Sequence, residues 1–457
     1  MQGSWFKEDE YRIMSNNCLI TNARIVNEGQ ITEGDVRVRA GRIETIASGL
    51  SAAAGESVID AEGAWLMPGM IDDQVHFREP GLTAKGDMAT ESAAAVAGGI
   101  TSFMEMPNVK PATTNLDALE DKYIRAAGRA SANYAFYLGA TNDNIEQIRS
   151  VKPGQACGIK VFMGASTGAM LVDDEQTLEQ IFADSPLLIA THCEDTPMIN
   201  INEEAARQKY GEDVPMSEHP NIRSEEACYK SSSLAVELAR RHDSRLHVLH
   251  LTTARELELF TAGPAADKRI TSEACVHHLF FDASDYEKLG AQIKCNPAIK
   301  TAADREALVQ AVATDLIDVI ATDHAPHTAE EKASSYFNAP AGLPLVQHAL
   351  LMTLEFVHDG YFDIAMAVRK TSHAVADVFG VRERGYIREG YFADLVLVDS
   401  DRPFQVRSED LIYKCGWSPL EGYEFRSSIR ATLVNGEVVW RDGSLSGVIA
   451  GQRLEFS

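Results

Sequence analysis

Between residues 67 and 380 the apolar positions fall in short runs separated by longer stretches of helical spacing. Eight of the runs predict strands, at residues 70–76, 100–106, 133–139, 158–162, 187–192, 246–251, 270–276 and 318–322. Stretches such as 87–97 and 231–241 predict helices between them. Short buried strands alternating with helices are the signature of parallel βα units. Eight units in about 300 residues match the size of a (β/α)8 barrel. A doubly wound sheet would need a glycine-rich phosphate loop after an early strand, and the chain has none.

The two ends read differently. Residues 18–26 are apolar and β-branched, 35–42 alternate, and Ala40-Gly41-Arg42 predicts a hairpin turn. Near the other end, 393–398 (ADLVLV) predicts a buried strand, and 431–440 predicts two strands around Asn435-Gly436. The expected architecture is α/β: a (β/α)8 barrel over 67–380, with a small β-sandwich formed by 14–66 and 381–457.

Polar residues capable of chemistry gather at the C-terminal ends of the predicted barrel strands, the face that carries active sites in such barrels. The first strand leads into Gln74, His76 and Arg78, and the second into Asn108. The fourth carries Lys160, the fifth ends at His192 and the sixth at His250. The seventh runs toward His277-His278, with Asn296 following, and the eighth leads into Asp323, His324 and His327. One such histidine would be unremarkable; their convergence predicts a metal site, since imidazole and carboxylate together suit zinc and related divalent ions. Asp323 is placed to act as general base and then general acid. Lys160 sits between Ile159 and Val161, where an unpaired charge is costly. Desolvated there, it would lose its proton readily, and the neutral amine could take up CO₂ to become a carbamate ligand. Residues 324–341 show no strong periodicity and predict a mobile loop over the barrel mouth.

Composition narrows the choices. The chain has 457 residues, 45% hydrophobic and 24% charged, as in ordinary soluble proteins. A net charge of -25 argues against nucleic-acid or anionic-membrane partners, which need a basic face, but not against a small anionic substrate. The seven cysteines are dispersed without a CxxC pair, as expected for reduced thiols in the cytoplasm. No apolar run approaches the ~20 residues that span a bilayer. The first 13 residues lack the basic start and apolar stretch of a signal peptide, and Met14 offers a second start.

Several segments together resemble the type I dihydroorotases of the amidohydrolase superfamily, over nearly the whole chain. They are DDQVHFREPG from Asp72, MPN at Met106, GIKVFMGASTG around Lys160, HCED at His192, HVLHLT around His250, CNPAIK at Asn296 and ATDHAPH at Asp323. The resemblance implies a barrel with a β-sandwich from both termini, and one or two zinc ions. It implies reversible closure of N-carbamoyl-L-aspartate to L-dihydroorotate in pyrimidine synthesis. It implies that His76, Lys160 (carboxylated), His192, His250 and Asp323 hold metal, with Asp323 also the general acid/base. It implies that Arg78, Asn108 and His327 meet the substrate carboxylate and Asn296 the pyrimidine ring. A homodimer, and association with aspartate carbamoyltransferase, belong to the same set of expectations.

The chain departs from the family pattern at Gln74, where the usual histidine would make an HxH pair. Three readings stand open: the amide oxygen replaces the imidazole at a two-metal site; one position is weak or empty, leaving a single zinc on Lys160, His192 and His250; or the chain is an inactive partner of aspartate carbamoyltransferase. Allantoinase and dihydropyrimidinase are the competing enzymatic readings.

Overall fold

The computed structural model describes residues 17–164 and 170–457. The alternative start at Met14, and the Ala-Ser-Thr-Gly end of the Lys160 motif, lie outside the described residues.

The chain begins with β1 (Cys18–Asn27), β2 (Gln30–Arg39) and β3 (Arg42–Ala47), an antiparallel meander, followed by β4 (Ser57–Asp60) and β5 (Trp65–Pro68), both parallel to β1. Next come β6 (Met70–Val75), β7 (Ile100–Glu105), β8 (Asn133–Phe136) and its continuation β9 (Leu138–Gly139). The series goes on through β10 (Ile159–Phe162), β11 (Ile189–His192), β12 (Leu246–Val248), β13 (Ile270–Cys275) and β14 (Val319–Ala321). With β8 and β9 taken as one strand, each pairs in parallel with the next. A parallel bridge between Val75 and His324, with the His76 N–H donating to His324 O at 2.7 Å, closes the ring. The structure is therefore the expected α/β barrel. Nearly every barrel-strand residue is buried, which is why these strands read as short, mostly apolar runs in the sequence, interrupted by buried polar residues such as Asp72, Glu105 and Glu273.

After the barrel come β15 (Leu395–Asp399), the short ribbon of β16 (Phe404–Gln405) and β17 (Glu424–Phe425), then β18 (Ser428–Val434), β19 (Glu437–Arg441) and β20 (Ser444–Leu445). Strands from both ends join one nine-stranded sheet, with β15 antiparallel to β5 at the junction. Alternation on β15 sorts its faces: Leu395 and Leu397 enter the core of the terminal module, while Val396 and Val398 enter that of the barrel. The hairpin turns at Ala40-Gly41 and Asn435-Gly436 both have positive φ (49° and 78°; 51° and 78°), matching the twist of their strands. They meet back to back: a Cβ on Gly436 would lie 2.7 Å from Gly41 Cα.

Helix Met88–Ala97 starts where the pattern places it, with Asp87 as its N-cap. The second example is longer than predicted, Glu225–His242. The segment predicted as a mobile loop, 324–341, is instead packed down. Lys332 is buried and its amine donates to the carbonyls of Lys294, Pro340 and Gly342, and the Trp417 indole donates to His327 O at 2.7 Å. A buried lysine satisfied by three main-chain oxygens pins the chain, which a periodicity reading cannot detect. All seven cysteines are free thiols. No helix among the described residues is long and apolar enough to cross a membrane.

Candidate functional site

Three predicted site residues have left-handed backbone: Arg78 (φ 72°), His250 (φ 39°) and Asp323 (φ 48°). Such conformations cost about 1–3 kcal/mol in non-glycine residues and cluster at functional sites. They also explain why β12 and β14 stop earlier than predicted: the chain leaves the extended region to turn these side chains into the barrel mouth.

One cavity of about 100 Å³ is lined by Gln74, His76, Arg78, Asn108, Lys160, His192, His250, Asn296 and Asp323. His327 stands behind Arg78, its Nε2 3.0 Å from the guanidinium, rather than on the wall. His324 is turned away altogether: its Nδ1 accepts from the Leu345 N–H, and its Nε2 donates to Glu91 at 2.9 Å. A larger cavity of about 510 Å³ lies between the barrel and the terminal module, beside His348 and Trp440. Its lining brings a single imidazole, whereas the smaller cavity gathers three imidazoles, an amine and a carboxylate, so chemistry rather than volume selects the site.

At one corner, His76 donates from Nδ1 to Asn108 Oδ1 at 2.6 Å and turns Nε2 toward Asp323 Oδ1 at 3.0 Å. Gln74 Nε2 donates to the same carboxylate oxygen at 3.1 Å. At the other, His192 Nδ1 and His250 Nε2 approach to 2.9 Å. His192 donates its single N–H, on Nε2, to Glu194 Oε2 at 2.7 Å, and Arg223 grips that carboxylate at 2.6 Å. Burial alone would raise Glu194, but Arg223 and His192 outweigh it and hold the carboxyl down at about 2. The ionised Glu194 fixes the His192 tautomer and leaves the Nδ1 lone pair facing the cavity, as partners of metal-bound histidines do. Burial also lowers the basicity of His76, His192 and His250, keeping the rings neutral and able to ligate.

Lys160 is buried and its Nζ has no hydrogen-bond partner. Burial pulls the amine down to about 8 against the charges of Asp323 and Glu273. The wall also holds a buried Asn296 Oδ1 without a partner. An orphaned amine, paired imidazole lone pairs and a nearby carboxylate fit a divalent ion of the zinc class. His192, His250 and Lys160, the last as an anionic carbamate, would hold it.

Two further groups of buried ligand-type side chains were not anticipated as sets: Asp73, His247 and Glu273, and Cys275, His277 and His278. Burial alone would lower His247, but Asp73 and Glu273 reverse this and raise it to about 9. Glu273 also accepts the His250 N–H at 3.0 Å and so supports its left-handed backbone. Among residues the sequence reading missed, Glu194 had a signal in the spacing His192-Cys193-Glu194; Glu273 and Cys275 had none, being partners only in space.

A family model described as the amidohydrolase family matches residues 65–439. The chain belongs to the amidohydrolase family. This amidohydrolase is 33% identical to the dihydroorotase of Halobacterium salinarum over 437 residues, 94% of this chain and 99% of that one. It is 31% identical to the allantoinase of Bacillus velezensis, over 94% of this chain and 95% of that one. Its fold superimposes on L-hydantoinase (dihydropyrimidinase) from Arthrobacter aurescens with a TM-score of 0.90 at 27% identity, covering 96% and 99% of the two chains. The amidohydrolase described here is a cyclic amide hydrolase.

The Glu194 contacts carry a prediction. Its depressed carboxyl, about 2 against an ordinary 4.5, contributes about 3 kcal/mol of stability. That contribution is present above about pH 4.5 and is lost as the pH falls toward 2. Glu194→Gln is expected to flatten the fall in stability seen in urea melts between about pH 5 and pH 3. It is also expected to weaken zinc affinity by about 10- to 100-fold, read by competition with a chelating dye.

Proposed function

We propose that the protein is a zinc-dependent dihydroorotase, interconverting N-carbamoyl-L-aspartate and L-dihydroorotate in pyrimidine synthesis. The observation that carries the choice of substrate is Arg78, a buried guanidinium on the wall of the cavity that also holds Lys160, His192, His250 and Asp323. Burial lowers it only to about 10, so it stays charged at neutral pH. Its Nε donates to Pro326 O at 3.1 Å, which fixes the plane of the fork. Lys85 Nζ lies 3.0 Å from His327 Nδ1 while paired with Glu331 at 2.8 Å, and burial together with Arg78, Lys85 and Lys332 suppresses the basicity of His327. In a chain of net charge -25 the Arg78 guanidinium bonds to Pro326 O and the His327 ring rather than to a carboxylate, which leaves its charge for an anion. Dihydroorotate is dihydrouracil with a ring carboxylate, and allantoin likewise lacks that group.

In the hydrolytic direction a water oxygen adds to the ring amide carbonyl next to the CH₂. Asp323 accepts one proton of that water and delivers it to the ring nitrogen as the C–N bond breaks, giving the ureido group and a carboxyl group that releases the second proton to solvent and becomes a carboxylate. A bound zinc-class ion supplies Lewis acidity at the carbonyl and lowers the pKa of water. Arg78 and Asn108 hold the substrate carboxylate, and the unpartnered Asn296 Oδ1 accepts a ring N–H.

Arg78→Lys is expected to raise KM for dihydroorotate by about 10- to 100-fold, because a point charge replaces a two-pronged donor. Activity toward dihydrouracil, if measurable, should be unchanged. Equal losses on both substrates, or unchanged KM for dihydroorotate, would remove Arg78 as the carboxylate partner.

A further inference from the structure

The side chain that breaks the family pattern is tied down on both sides. Gln74 Nε2 donates to Asp323 Oδ1 at 3.1 Å, and Gln74 Oε1 lies 3.7 Å from the Cys275 thiol. Cys275 Sγ is in turn 3.2 Å from Glu273 Oε1, so its single proton is shared between two oxygens. Turning the amide over would set its oxygen against the Asp323 carboxylate, two acceptors face to face. The observed orientation is therefore the one the surroundings select.

This orientation has a chemical consequence. The only atom of Gln74 able to bind a cation faces Cys275, while its NH₂ group points at the carboxylate beside which a second ion would have to sit. The corner formed by Gln74, His76 and Asp323 thus does not fit a metal ion, whereas the corner formed by Lys160, His192 and His250 does. We propose that Gln74 is a positioning residue for Asp323 rather than a metal ligand, that Cys275 fixes its amide, and that each chain takes up one zinc-class ion. The proposal rests on the metal-dependent reading of the site given above. In place of a second ion, Asp323 keeps the Gln74 amide donating to one of its oxygens, with His76 Nε2 3.0 Å from the same oxygen. That leaves a single carboxylate, held in one rotamer, to carry the proton.

The test combines metal counting with kinetics on the full-length protein. Wild type, Gln74→Ala, Gln74→His and Cys275→Ala are saturated with zinc and bicarbonate, desalted, and assayed for zinc by mass spectrometry; thermal melts establish that each is folded. The expected result is one zinc per chain in wild type, Gln74→Ala and Cys275→Ala, and two in Gln74→His. Gln74→Ala should keep its ion but lose kcat by about 10- to 100-fold with little change in KM. Cys275→Ala should lose less, and a variant combining Gln74→Ala with Cys275→Ala should be no slower than Gln74→Ala alone. Two ions in wild type falling to one in Gln74→Ala would make the amide a ligand and overturn the proposal. Unchanged kcat in Gln74→Ala, or no zinc in wild type, would overturn it as well. One zinc in folded wild type with the predicted pattern, but turnover of dihydrouracil in place of dihydroorotate, would instead reject the substrate proposed above and leave the role of Gln74 standing.

Discussion

Asp323→Asn is expected to lower kcat for ring hydrolysis by about 10²- to 10⁴-fold while leaving the protein folded. The substitution is nearly isosteric, and asparagine tolerates the left-handed backbone (φ 48°) that residue 323 adopts. An amide oxygen can still accept from Gln74 Nε2, so the local geometry should survive. What disappears is the carboxylate that takes the proton from water and returns it to the ring nitrogen. Steady-state kinetics with dihydroorotate, alongside zinc content and a thermal melt, separate these effects. A kcat within threefold of wild type (about 0.65 kcal/mol in barrier) would mean that another group moves the proton.

Lys160→Ala is expected to abolish measurable turnover and to reduce bound zinc to background. Lys160 is 1% exposed and its amine lacks a hydrogen-bond partner, a desolvation cost that nothing in direct contact offsets. Its removal should therefore leave the melting temperature of the metal-free protein unchanged or higher. A native lysine amine lowered to about 8 is present in part as the free base near neutrality, the form that takes up CO₂. Zinc loading of wild type should accordingly depend on bicarbonate, and loading of Lys160→Ala should not. Full zinc content in the alanine variant would remove Lys160 from the ligand set.

The barrel could be read in advance because parallel strands buried on both faces leave short, mostly apolar runs. The helices between them leave the longer period. The ends of the strands were less legible. His250 and Asp323 follow β12 and β14 directly, but their left-handed backbone, supported at His250 by Glu273, depends on contacts from other strands. The segment after Asp323 looked loose for a related reason, since the three carbonyls that bind Lys332 are visible only once the chain has folded. The ATDHAPH segment set Asp323, His324 and His327 at one strand end, and the sequence pointed to roles for Asp323 and His327 alone. The fold separates them: Asp323 faces the cavity, His327 backs Arg78 and His324 pairs with Glu91. Gln74 stood out in the sequence as an exception. Its meaning depended on Cys275, 201 residues away, and no local pattern carries that distance.

The most direct measurement is hydrolysis of L-dihydroorotate by the purified protein, loaded with zinc and bicarbonate, beside dihydrouracil and allantoin at equal concentration. The account predicts turnover of dihydroorotate with kcat/KM at least about 10²-fold above that of either uncharged ring, the discrimination a buried charge partner supplies. Preference for dihydrouracil or allantoin, or no turnover of any of the three by folded, zinc-loaded protein, would contradict it.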